Sequence, residues 1–129
     1  MAIGSPQWMY KSGEAYTVDQ SLKFEDGRSP KLTKTFASAG NRRTWTFSCW
    51  VKKNKVSGYH VLLGCGTSGD NEDLIYFDTT NNNFRFAFGD GTGYTRETAA
   101  YYRDTSAWMH VMVAVDSTQS TAADRIKMY

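Results

Sequence analysis

The chain has 129 residues, one domain's worth, with no room for a second core of useful size. A composition of 40% hydrophobic and 22% charged residues excludes a disordered chain or a coiled coil, and 15 Lys and Arg against 13 Asp and Glu, scattered along the chain, exclude the basic stripe of a nucleic-acid binder. Aromatic residues at 15%, with 11 Gly and only 2 Pro, favour pleated surfaces and turns, so an all-β domain is the expected class.

Residues 1–20 show no sustained period of 2 or 3.6 and read as an extended arm. They lack the charged-then-apolar order of a signal peptide, and no apolar run in the chain approaches the ~20 residues that span a bilayer, so no membrane partner is expected. Trp8, Met9, Tyr10 and Tyr16 are too apolar to face water on such an arm. They pack either on the domain's own core or on a neighbouring subunit, and are the candidate partner-binding residues.

Short strands punctuated by turn signals follow, over residues 21–129. Residues 21–24 alternate, with Leu22 and Phe24 on one face, and residues 31–35 follow Pro30; together they read as a first hairpin or two edge strands. Residues 44–53 carry the clearest alternation: Trp45, Phe47, Cys49 and Val51 face the core, and Thr46, Ser48, Trp50 and Lys52 face out.

The next strands are expected at 59–63, 74–77 and 84–88, separated by clusters of Gly, Asp and Asn. Phe84, Phe86 and Phe88 form a ladder of period 2, which no α-helical stripe can match. Residues 95–102 add a less regular strand, and residues 108–115 are apolar enough for a central strand covered on both faces. Residues 125–129 begin a last strand, which implies that the polypeptide continues beyond Tyr129. Eight or nine strands without a helix make a two-sheet antiparallel sandwich or a barrel, and the long loops favour the sandwich.

Little of this pattern carries chemistry. Cys49 and Cys65 lack zinc-site spacing and sit in or beside apolar runs, as buried free thiols do. Asp70, Asp73 and Asp78 are the candidate ligands if the domain holds calcium, but the loop lacks the EF-hand order and reads as a solvated turn, so no cofactor is expected. His60 and His110 lie among apolar residues with no nucleophile elbow nearby and read as structural. A glycosidase needs two facing carboxyl groups, whereas Asp73 and Asp78, five residues apart, fall on opposite faces of a regular strand. The expectation is a protein that is not an enzyme.

The run 21–35 (SLKFEDGRSPKLTKT), the strand 39–52 (AGNRRTWTFSCWVK), the segment 102–110 (YRDTSAWMH) and 113–119 (VAVDSTQ) together resemble concanavalin A-like, laminin G-like domains, in the form found in virion proteins of marine bacteriophages. The resemblance implies a jelly-roll sandwich, incomplete at its C-terminus because such domains continue through a hairpin and further strands. It also implies a role in binding or in building surfaces; the glucanase branch's Glu-x-Asp-x-x-Glu signature is missing from this sequence.

Three functions fit. The first is a virion structural protein of a tail fibre or other appendage, assembled in the host cytoplasm, oligomeric, and docked to other virion proteins through the arm. The second is a glycan-binding module for host attachment, with Trp50, Tyr94, Tyr101 and Tyr102 as stacking surfaces. The third is a capsid decoration protein.

Overall fold

The computed structural model describes residues 20–25, 27–66, 72–89 and 94–129. The chain divides into two units, Met1–Ala37 and Ser38–Tyr129. The proposed docking residues Trp8, Met9, Tyr10 and Tyr16, and Asp70 of the acidic loop, lie outside the described residues.

In the first unit, the described residues form no strand, which corrects the expected strands at 21–24 and 31–35. Leu22, Phe24, Leu32 and Phe36 are exposed, and the local contacts are a Lys23–Glu25 ion pair at 3.7 Å and the Lys34 ammonium 5.4 Å from the Phe36 ring centre. Alternation over four or five residues does not hold a strand without a buried face, because an isolated two-stranded ribbon is marginal in water.

The described residues of the second unit are all-β, with seven strands: β1 (Thr44–Val51), β2 (His60–Gly66), β3 (Glu72–Phe77), β4 (Phe84–Phe88), β5 (Tyr94–Glu97), β6 (Met109–Asp116) and β7 (Ile126–Met128). A 3-10 turn at Ala122–Asp124 precedes β7. Two antiparallel sheets result, one ordered β1-β6-β7 and the other β2-β3-β4-β5. This is the architecture of a concanavalin A-like jelly-roll sandwich. The expected strand at 95–102 is shorter than its apolar content suggests, because Thr98 and Tyr102 turn their backbone N–H groups to Phe84 and Asn82 carbonyls in the loop.

The alternation in β1 determines which residues enter the core. Trp45, Phe47, Cys49 and Val51 pack against a buried cluster of Ile75, Phe77, Phe84 and Phe86 from the four-stranded sheet and Val111 and Val113 from β6. Trp45 meets Phe86 edge-on across the two sheets at 5.6 Å, a favourable quadrupole geometry. The Phe84–Phe86–Phe88 ladder is therefore core, as its period requires.

β6 is central in its sheet, but only its Val111 and Val113 face is sealed; His110 is exposed, and Met112 and Ala114 are half-buried. The continuous apolar run there reflects small and adaptable side chains rather than cover on both faces. Both thiols are free, but Cys49 is half-buried and Cys65 is exposed, because Cys65 stands on β2 at the sheet's edge.

Candidate functional site

The β1–β6 register pairs Trp50 with His110, Ser48 with Met112, Thr46 with Ala114 and Thr44 with Asp116 on the face that points away from the core. On the other side of β6, Lys127 is opposite Ala114, and Tyr129 exchanges two backbone hydrogen bonds with Met112 at 2.9 and 3.0 Å. Ile126 and Met128 pack inward, so the alternate positions Lys127 and Tyr129 face out. One outer face thus gathers residues from three strands.

This face has an aromatic end and a polar end. Trp50 is 63% exposed and lies 5.3 Å from the His110 ring; Tyr129 is 61% exposed in the next row, and Trp108, two residues before His110, is 52% exposed. Strand geometry puts Trp50 and Tyr129 about 12 Å apart across β6. Rings this exposed contribute little to the core and are available to stack on an apolar ligand face.

At the polar end, Thr44, Thr46, Ala114, Asp116, Gln119, Asp124 and Lys127 line an open depression of about 650 Å³. Asp116 accepts hydrogen bonds from the Thr118 hydroxyl (2.5 Å), the Gln119 amide (2.6 Å) and the Thr118 backbone N–H (3.0 Å), which hold its carboxyl below the usual range. Lys127 lies 3.8 Å from Asp124. The depression offers fixed acceptors and donors beside hydroxyls, the complement of a polyhydroxylated ligand.

The proposed stacking residues do not gather into one site. Trp50 belongs to the outer face just described. Tyr94 stands on β5 of the other sheet, stacked on Phe88 at 5.5 Å, and Tyr101 lies in the loop before β6 beneath the Arg103 guanidinium at 4.8 Å. Tyr102 is half-buried: its ring packs against Phe77 and Phe84 at the core's margin, where the loop before β6 folds over the end of the sheets. His110, Tyr129 and Trp108 join Trp50 instead. The signal for them was the shared parity of β1, β6 and β7, but it has meaning only once the register is known.

The acidic residues have partners of their own. Asp73 accepts from the Gly89 N–H at 3.3 Å and lies 3.8 Å from the Cys65 sulfur. That thiol is pushed up by burial and by the Asp73 charge. Asp78 is buried in the β3–β4 turn, where burial alone would raise its carboxyl. The N–H groups of Thr80, Asn81 and Asn83, at 2.7 to 3.3 Å, and Arg85 at 3.7 Å outweigh that effect and hold it below the usual range. Its oxygens are engaged in closing the turn. Among the described residues, no three His, Cys, Asp or Glu side chains gather as a metal would need.

The same turn holds a residue absent from the sequence reading. Lys53, just past β1, is 2% exposed; its Nζ donates to the Asn82 side-chain oxygen at 2.5 Å and the Tyr102 carbonyl at 3.0 Å and lies 5.0 Å from the Phe77 ring centre. Burial lowers its pKa, and the Asp78 charge opposes that shift. Asn82 adopts φ +60 to present its oxygen, a left-handed conformation that Asn tolerates. Lys53 shares the inward parity of Trp45, Phe47, Cys49 and Val51, but its charge gave no reason to expect an ammonium inside.

A family model described as the concanavalin A-like lectin/glucanases superfamily matches residues 19–129, and the chain belongs to that superfamily. No curated protein and no solved structure matches it.

Proposed function

From that family membership we propose that the domain is a lectin-like module that holds a glycan on the outer face of its three-stranded sheet, and that it is carried on a bacteriophage particle. The observation that supports glycan binding is the joining, on one face, of the exposed Trp50, His110 and Tyr129 rings to a hydroxyl- and carboxylate-lined depression. A sugar ring has an apolar face that stacks on aromatics and an equatorial rim of hydroxyls that needs fixed hydrogen-bond partners. Both occur here within one sheet width.

We read the module as non-catalytic. A glycosidase acid must be held protonated near neutral pH, whereas Asp116 in the depression is held low by its hydrogen bonds. Binding is read as calcium-independent, because the Asp78 oxygens are engaged in closing the β3–β4 turn and Asp73 accepts from the Gly89 N–H.

A glycan array probed with the chain, with and without EDTA, tests the reading. Binding that survives EDTA and is lost in Trp50→Ala is expected; no binding to any glycan overturns it.

The particle assignment rests on the resemblance to marine phage virion domains, with a tail appendage as the location and capsid decoration as the alternative. Mass spectrometry of purified particles and their isolated tails is expected to recover the chain in the tail fraction. Docking through residues 1–20 predicts that deletion of residues 1–16 abolishes incorporation, and normal incorporation of the deletion refutes it.

A further inference from the structure

On the outer face of the three-stranded sheet, side chains stand in rows across the strands, with about 7 Å between rows. The first row is Trp50 beside His110; the second is Ser48, Met112 and Tyr129; the third is Thr46, Ala114 and Lys127; the fourth is Thr44 beside Asp116. Along β1 it is about 14 Å from Trp50 to Thr46, where the depression begins, and about 20 Å to Thr44. No single sugar ring covers that span. A ligand that stacks on Trp50 and also reaches Asp116 is therefore a chain of sugars.

The two rows between the ends give such a chain a bed. Met112 and Ala114, half-buried on the central strand β6, form its floor. The exposed Ser48 and Thr46 hydroxyls flank that floor on one side, and Tyr129 and Lys127 flank it on the other. A shallow floor with hydrogen-bonding groups along both margins matches the apolar faces and lateral hydroxyls of sugars in an extended chain. The depression at the far end is open, so a chain can run through it without presenting a terminus.

Charge narrows the ligand further. Among the described residues that line the depression, Asp116 and Asp124 carry two negative charges against the one ammonium of Lys127, which stands 3.8 Å from Asp124. The adjacent Arg125 directs its guanidinium to the Gln119 and Ser120 carbonyls at 2.9 and 3.5 Å. A sulfate or uronate seated there meets two like charges, whereas a neutral hydroxyl donates to them.

We infer, on the premise that this face holds a glycan, that its ligand is an internal stretch of a neutral, linear oligosaccharide lying along β1 and β6, stacked at Trp50 and hydrogen-bonded at Asp116. Contacts spread over four rows act as linked binding events within one ligand, so affinity depends on chain length.

Calorimetric titration of the full chain with glucose, mannose, galactose and xylose, with linear oligomers of each in increasing length, and with uronate and sulfated chains tests this. In a neutral series, affinity is expected to rise about tenfold or more from the monosaccharide to an oligomer spanning about 20 Å, and then to level off. Trp50→Ala should lose most of that gain while its circular dichroism spectrum stays unchanged. A monosaccharide bound as tightly as the longest oligomer, or a charged chain bound more tightly than the neutral ones, overturns the inference and leaves the lectin-like reading standing. Silence across the whole panel overturns the inference too, and a blank glycan array beside it overturns the lectin-like reading as well.

Discussion

Lys53 offers the sharpest test of the packing argument, because a buried ammonium stabilises only while its partners are in place. Replacing it with Ala removes the donor for the Asn82 oxygen and the Tyr102 carbonyl, removes the charge over the Phe77 ring and leaves a cavity where the stem ran. Two charge-assisted hydrogen bonds at about 1.5 kcal/mol each, plus the cavity, put the loss at about 3–5 kcal/mol. Lys53→Met refills the stem's volume and no longer buries a charge, so it should lose only about 1–3 kcal/mol, the cost of leaving buried acceptors unsatisfied.

The pH dependence adds an independent sign. The folded Lys53 pKa is lowered, so between that value and the ordinary ~10.4 the unfolded chain binds more protons and stability rises with pH. The advantage of the unaltered chain over Lys53→Met should therefore grow as pH rises toward that ordinary value. Urea unfolding followed by tryptophan fluorescence, from neutral to alkaline pH, measures both effects. If Lys53→Ala stays within about 0.5 kcal/mol of the unaltered chain, the value of a surface substitution, the buried-ammonium account is refuted.

Three further outcomes follow from the same geometry. Asp78 has its folded pKa lowered, so the stability it contributes is complete above ~3.9 and is lost as pH falls through the folded value; Asp78→Asn should flatten that acid limb in unfolding titrations. Phe84→Ala, at a position with no exposed surface, should cost about 3–5 kcal/mol in urea unfolding, whereas Phe88→Ala, only half-buried, should cost less. Trp50→Ala should change stability by less than about 0.5 kcal/mol yet weaken glycan binding tenfold or more by calorimetry, about 1.4 kcal/mol or above.

Much of the sandwich is legible in the sequence because period 2 is a local property. Trp45, Phe47, Cys49 and Val51 on one side of β1, and Phe84, Phe86 and Phe88 on one side of β4, are visible from alternation alone, and the structure places both sets in or against the core. The same local signal misleads where no partner strand lies among the described residues, as at residues 21–24 and 31–35, whose alternating apolar residues are exposed. It also overstates β6, whose apolar run is buried on one face and partly open on the other. Tyr102 reads as a surface ring at the end of an expected strand, but whether that segment instead folds over the core as a loop is not a property of its own residues.

What the sequence determines by itself is the class and, in strongly alternating strands such as β1 and β4, the inward or outward sense of the side chains, since these follow from backbone pleat and hydrophobicity within a few residues. The neighbours are decided by the tertiary structure alone. β1 pairs with β6, far along the chain, rather than with β2, and that choice brings His110 beside Trp50 and sets Tyr129 on the same face as the open Asp116 depression. It also brings Asn82 and the Tyr102 carbonyl around Lys53. Pairing over such separations is selected by which arrangement buries the most apolar surface at tolerable loop-closure cost, a balance struck over the whole chain and written in no single segment of it.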